Sequence, residues 1–445
     1  MLPKSYPSNF TKNSKMKFCI SLILVFTVQI FSYGQFGELG EIDKSYRDEI
    51  IALARIPLVK KAFDHIKAID DQTIKDLIYL TEIPAPPFKE NERGIAFSKM
   101  IKNLGMDSVW IDEVGNVLAL RKGKTGAKTI ALDAHLDTVF PEGTDVTVKM
   151  RGDTLFAPGI NDDTKGLANV LAIIKTLNVN EIETEHDILF VGSVGEEGLG
   201  DLRGVKHLFK EGGPRIDSWI AIDGGQIGRV NNKGLGSHRY RVTFKGPGGH
   251  SWGAFGLGNP HHALGKSISL FVERADKFTR YGARTSYNVG VIGGGTSVNS
   301  IPFESSMEID MRSESPARLD SIDAILQTAV QEALVYQNEL GRIGEKLKVV
   351  VDQIGNRPSG ELSDSLPLIQ RAMACTALFG KRPRLTRGST NSNIPISMGI
   401  PAVTIGRGGE GANAHSLDEW WINKDGHKAI QFSLLLLLSE AGVVK

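Results

Sequence analysis

From Ile42 to Leu80 the apolar residues recur at mixed spacings of three and four, among them Ile50, Leu53, Ala54, Leu58, Ala62 and Ile66. That rhythm predicts amphipathic helices laid against a larger body. Pro84, Pro86 and Pro87 then end the helical pattern, because proline lacks an amide hydrogen and clashes with the preceding turn. Short, largely apolar runs follow at Val117 to Leu120, Thr129 to Leu132, Ile188 to Val194 and Trp219 to Ile222, with a helix-like run from Lys165 to Leu177 between the second and third. Such strands have no polar face to show to water. Their alternation with helices predicts an α/β fold whose mixed, largely parallel central sheet carries helices on both faces.

Around Gly234 the pattern changes. Arg239, Arg241, Thr243 and Lys245 alternate with Tyr240, Val242 and Phe244, the period-two rhythm of a half-exposed strand. A helical run from His261 to Phe278 comes next, then strand-like Ser286 to Ile292 and Ser306 to Met311, a long helical stretch from Ala317 to Leu340, and Leu347 to Ile354. Four strands and two helices make an α+β unit of domain size. After Gly360 the α/β alternation resumes, with Ile400 to Ile405 as another buried strand. The expected organisation is a first part over 35–235, an inserted domain over 236–355 and a second part over 356–445.

The 445 residues include 41% hydrophobic and 23% charged residues, with 52 basic against 51 acidic side chains. This is the balance of an ordinary globular chain, and it supplies no global field to draw a nucleic acid. Residues 1–34 read as an address. Lys4, Lys12, Lys15 and Lys17 precede an apolar stretch from Phe18 to Ile30, and Ser32-Tyr33-Gly34 offers a small-residue cleavage site. The stretch is short for a span of about 20 residues, so a signal peptide is expected and a lasting membrane anchor is not. Met16 is an alternative start. Removing the four lysines of 1–34, which holds no acid, would take the net charge from +1 to −3 and leave Cys375 without a cysteine partner. The expected location is secreted or periplasmic.

The chemistry-bearing residues stand where strands end, which is where ligands gather in open parallel sheets. His135 and Asp137 follow the run Thr129 to Leu132; they read either as a polar strand terminus or as a metal ligand with a carboxylate behind it. Asp162 and Asp163, in Gly159-Ile160-Asn161-Asp162-Asp163, stand before a helix, where acids also serve as caps. Glu196 and Glu197 follow another buried strand and must point different ways, so one can bind a metal while its neighbour faces a water. Asp223 closes Trp219 to Ile222, and His415 stands in a late loop. Each has a bland reading alone; together they point to a metal centre. Ser193 lacks the Gly-x-Ser-x-Gly elbow of a serine hydrolase. His261-His262 reads as helix capping and packing.

The ordered set His135-x-Asp137, Gly159-x-x-Asp162-Asp163, Glu196-Glu197-Gly198, Asp223-Gly224 and Ala414-His415 resembles the two-zinc exopeptidases and amidohydrolases that include peptidase T, carnosinase, glutamate carboxypeptidase and succinyl-diaminopimelate desuccinylase. The inserted segment is similar as well, through Gly246-Pro247-Gly248-Gly249-His250-Ser251, Gly294-Gly295-Thr296-x-x-Asn299-x-Ile301-Pro302 and Asp310-x-Arg312. The resemblance implies the zinc-exopeptidase fold with an inserted lid and dimerisation domain, and two Zn2+ per subunit, with Co2+ or Mn2+ as substitutes. His135, Asp162 and Asp223 would hold one ion; Asp162, Glu197 and His415 would hold the other. It further implies Glu196 as general base, Asp137 as the group orienting His135, a cis peptide after Asp162, and His250 reaching the active site of a partner subunit in a homodimer. Asn299, Arg312 and Arg387 are the substrate-binding candidates; both arginines have structural ion pairing as the alternative.

Two features depart from the family pattern. Asp163-Thr164-Lys165-Gly166 carries one residue more than the common form, so Asp162 is chosen as the bridge by counting from Gly159. Where many relatives read Ser-Thr-Asp, this chain has Ser389-Thr390-Asn391, which alters the expected charge of a substrate-recognition loop. Aspartate at position 223 resembles the amino- and dipeptidases, so the implied activity is peptidase T-like cleavage of short peptides. Glutamate carboxypeptidase-like and N-acyl amino acid amidohydrolase activities are the alternatives. An inactive peptide-binding protein on this fold would be expected to lack a ligand or the base, and none is missing.

Overall fold

The computed structural model describes residues 38–106 and 108–444; the expected signal segment lies outside them. Among the described residues no helix is long and apolar enough to cross a membrane.

Three short helices, Lys44–Arg55, Pro57–Ala68 and Asp70–Thr81, open the described chain. Asp43 starts the first by accepting the Ser45 amide at 2.7 Å, and Pro57 stands at the start of the second, where its missing amide hydrogen costs nothing. Val59, Ala62 and Ile66 bury the stripe that their spacing predicts.

The central sheet runs Glu38–Leu39, Arg384–Gly388, Arg229–Gly234, Ala402–Ile405, Ser218–Ile222, Thr129–His135, Asp187–Ser193, Val117–Arg121, Ser108–Ile111. Four neighbours in its middle, Ala402–Ile405 through Asp187–Ser193, are mutually parallel. They are buried at every position. Helices Lys165–Val179 and Gly426–Ala441 pack with them in the largest apolar cluster, where Leu434 to Leu438 are all fully buried. Trimming any one of those leucines to alanine would cost about 2–5 kcal/mol. The Thr129 strand runs on through Asp133 to His135, past the expected end at Leu132, because Asp133 is satisfied where it lies: Ser193 Oγ donates to it at 2.6 Å and Asn391 Nδ2 at 2.8 Å.

Between Gly236 and Arg357 the chain builds a second sheet, in the order Thr285–Gly294, Glu304–Ser313, Gly236–Lys245, Lys348–Arg357. Helices Pro260–Thr279 and Pro316–Leu340 cover it, with Val242, Phe244, Phe271, Met307, Ile309, Met311 and Leu326 in a core of its own. Burial alternates along Glu304–Ser313, as one covered face requires. Asn259 Oδ1 caps the first helix by accepting the amides of His261 and His262, and His261 Nδ1 meets Ser305 Oγ at 2.7 Å. The last strand of this sheet ends on Arg357 and returns the chain to the centre through Gly360–Glu361, which pairs with Arg229–Gly234. A small sheet, in the order Glu410–Ala412, Trp420–Ile422, Thr154–Phe156, Lys149–Arg151, joins the stretch before Gly159 to the loop that carries His415.

Candidate metal centre

The four parallel strands deliver their polar ends to one place. His135 ends its strand, Asp223 follows Ile222 directly, Glu196 and Glu197 follow Ser193, and Arg407 follows Ile405. An irregular turn, Ile160–Thr164, sets Asp162 among them, with Asp162 and Asp163 at non-helical angles and a cis peptide between the two. Gly159 opens the turn in the left-handed region (φ 78°), where a Cβ would press into Thr138.

Three overlapping groups of donor atoms result among the described residues: His135, Asp162 and Asp223; Asp162, Glu197 and His415; and His135, Glu196 and Glu197. Within each group the atoms lie inside 4.8 Å of one another. Asp162 is common to the first two, with Oδ1 3.3 Å from His135 Nε2 and Oδ2 3.5 Å from His415 Nε2. His415, held in the left-handed region (φ 68°), lies 2.9 Å from Glu197 Oε1. Asp163 turns the other way, accepting the His135 amide at 3.2 Å from a fully buried position. The structure therefore places Asp162, and not Asp163, between the two imidazoles.

One expectation about Asp137 is corrected. Its main-chain oxygen, at 2.9 Å, is the nearer partner of His135 Nδ1, while its carboxylate is 3.7 Å away. That carboxylate instead accepts the amides of Glu196 at 3.0 Å and Glu197 at 2.7 Å, and so sets the adjacent acids on their separate courses. The result for His135 is the one wanted: Nδ1–H donates, and Nε2 is left facing the site.

Three positioning groups escape a reading of the sequence. Arg407, buried, places Nη1 2.9 Å from Asp162, 3.1 Å from Asp163 and 3.3 Å from Asp223. Arg357 places Nη1 3.1 Å from Glu196 Oε1 and also holds the Glu196 main-chain oxygen. Glu419, fully buried, accepts the amides of Gly159, Asn161 and Asp162 at 2.8–2.9 Å, tying the His415 loop to the Asp162 turn. The one signal for Arg407 is its place just past the buried strand Ile400 to Ile405, matching Asp223 after its own.

Burial and neighbouring charges set the proton affinities at the centre. Burial pushes Glu196 well above the ordinary carboxylate range, with Arg357 opposing and Glu197 adding. Burial likewise raises Asp163 and Asp223. Burial would raise Asp162 too, but Arg407 and the two histidines outweigh it and hold it well below. Hydrogen bonds to Asp162 and Glu197 lift His415 to about 10. Buried acids outnumber the buried arginines around these strand ends, an imbalance that divalent cations would offset. Imidazole nitrogens with carboxylate oxygens, three protein donors to each ion, form a suitable catalytic zinc set.

The remaining expected residues lie in the inserted segment or near the edge of the central sheet. Gly249–His250 pairs with Ser300–Ile301, which brings the two inserted motifs together. His250 is exposed, and its Nδ1 accepts the amides of Trp252 at 3.2 Å and Gly253 at 3.3 Å. Asn299 accepts the Ser251 amide on its main-chain oxygen at 2.9 Å. Arg312 pairs with Asp310 at 2.7 Å. Arg387 holds the main-chain oxygens of Gly234 and Gly360 and the Glu361 carboxylate at 2.9 Å, so its guanidinium ties strands together and takes the structural alternative. Asn391, expected in a substrate-recognition loop, is buried beneath the centre and bonded to Asp133 and Ser193.

Residues 131–439 match the description Peptidase family M20/M25/M40. YqjE of Bacillus subtilis is 24% identical over 359 residues, 77% of this chain and 91% of its own. Carboxypeptidase G2 of a Pseudomonas species is 25% identical over 248 residues, 52% of this chain and 56% of its own. The crystal structure of aminopeptidase PepT from Bacillus cereus superposes with a TM-score of 0.64 at 20% identity, over 83% of this chain and 98% of that one. The match covers both parts that carry the ligand groups, and with it the assignment is plain: the chain belongs to peptidase family M20/M25/M40 and is a hydrolase of peptide bonds.

Proposed function

We propose that this protein is an exported, zinc-dependent exopeptidase that trims short peptides from a free amino terminus, in the manner of a di- or tripeptide aminopeptidase. The observation that carries this reading is the pair of donor groups sharing Asp162, with Glu196 beside them but held by Arg357. Bound there, two zinc ions would polarise the scissile carbonyl and lower the pKa of water. Glu196 stands where it can take a proton from the attacking water and return it to the leaving amine. Arg357 fixes its direction, and the Asp137 carboxylate keeps Glu196 and Glu197 apart.

Export rests on residues 1–34. Homodimer formation is supported by apolar surface near His250: Trp252 is 87% exposed, Val298 102% and Phe303 66%. It is supported also by the strand Thr285–Gly294, which ends its sheet. Buried in a dimer, this face would carry His250 to the partner's centre, with Asn299 and Arg312 as contacts to substrate. The similarity to carboxypeptidase G2 favours a second reading, in which the free carboxyl end is recognised instead.

A panel of free, amino-blocked and carboxyl-blocked di- and tripeptides tests the reading. Cleavage of free and carboxyl-blocked peptides, with amino-blocked ones refused, is the expected outcome. The reverse selectivity would replace it with the carboxypeptidase or deacylase alternative.

A further inference from the structure

Resting on the two-metal reading above, we infer that Arg407 makes the two metal positions unequal, so that the Asp162–Glu197–His415 group fills first and more tightly. The guanidinium Nη1 lies on two of the three acceptor residues of the other group: 2.9 Å from Asp162 Oδ1 and 3.3 Å from Asp223 Oδ1. Asp162 Oδ1 is also the oxygen that faces His135 Nε2. An ion entering between His135, Asp162 and Asp223 therefore has to share both carboxylates with a cation already present. In the other group, Asp162 Oδ2 and Glu197 Oε1 face the imidazole of His415. The arginine on the first group stays charged at any working pH.

Arg407 is also anchored where it stands. Its amide donates to Gly224 at 3.3 Å and its carbonyl accepts from Asn169 at 2.9 Å. Gly406 before it fits so closely that a Cβ would lie 2.4 Å from the Gln226 carbonyl. The backbone cannot withdraw without opening the loop that carries Asp223. Meanwhile Nε has no acceptor, so the guanidinium is held chiefly by the carboxylates it would share. Arg407 thus keeps the acids together before metal arrives and weakens one position once it does.

The test is a competitive titration of chelator-stripped protein with Zn2+ against a chromophoric chelator, read as stoichiometry and stepwise affinity. Wild-type protein should bind two equivalents in two resolved steps. His415→Ala should remove the tighter step and His135→Ala the weaker. Arg407→Met should tighten the weaker step at least tenfold, about 1.4 kcal/mol, and Arg407→Lys should fall between. Should Arg407→Met not fold, the two histidine variants and Arg407→Lys decide the matter. Two equal steps, or loss of the tighter step in His135→Ala, would overturn the inference while leaving the two-metal reading intact. Failure of the wild-type protein to bind any zinc would remove both.

Discussion

Asn391→Asp is a near-isosteric change whose cost should emerge above neutral pH. In the native chain Asn391 Nδ2 donates to Asp133 Oδ2 at 2.8 Å and to Ser193 Oγ at 2.7 Å, all three residues being at most 1% exposed. Burial raises Asp133 to about 7 even against the hydrogen bonds from Ser193 and Asn391, which lower it. An aspartate at 391 would add a second carboxylate about 3 Å from the first and remove a donor. At an effective dielectric constant near 20, two unit charges at about 3 Å repel by roughly 5–6 kcal/mol, so the pair must keep a proton. Both acids are near 3.9 in the unfolded chain. A carboxyl whose folded value is raised contributes its full stability below about pH 4 and loses it as pH climbs toward that raised value. Native Asp133 already keeps a proton up to about pH 7, so the pH-dependent cost of Asn391→Asp should be small up to that pH and grow by about 1.4 kcal/mol per unit above it, to roughly 3 kcal/mol by pH 9. Guanidinium unfolding of chelator-treated wild type and variant at four pH values measures it. The exchange Asp133→Asn with Asn391→Asp, which restores one acid and one amide, should recover more than half of the loss. A cost equal at pH 6 and 9, or no recovery in the exchanged protein, would refute the reasoning.

Other outcomes follow from the same contacts. Glu196→Gln should keep two metal equivalents while turnover drops by about 10²–10⁴; metal loss in step with activity would make Glu196 a ligand instead. Arg357→Leu leaves Glu196 buried and unpaired, and should lower unfolding stability by about 3–5 kcal/mol at pH 8 together with turnover; unchanged values for both would show that the 3.1 Å pair is idle. Mixing inactive Glu196→Ala and His250→Ala proteins should restore partial activity through hybrid dimers, and none despite proven subunit exchange would confine His250 to its own subunit.

The sheet is legible in the sequence because its central strands are short and apolar throughout, a pattern that survives without any knowledge of partners. The ligand positions are legible for a related reason: a histidine or acid just past such a run has few places to go except the carboxyl edge. What stays hidden depends on closure across the chain. Asp133 reads as lying past a strand end, yet its acceptors are satisfied by Ser193 and by Asn391, which stands 258 positions away. Glu419 reaches Asn161 over the same separation. Arg407 and Arg357 carry no periodic signal, since a lone arginine after a strand looks the same whether it faces water or three carboxylates. The small sheet is made of three-residue strands, too short to announce themselves. The Asp137 carboxylate goes to two amides, and no sequence pattern distinguishes an acid that binds main chain from one that binds a ring.

The account stands or falls on metal at the shared carboxylate of Asp162. Anomalous diffraction at the zinc edge, from crystals grown with zinc, locates it directly. Two peaks are predicted, one among His135, Asp162 and Asp223 and the other among Asp162, Glu197 and His415. No peak within coordination distance of Asp162 would contradict it.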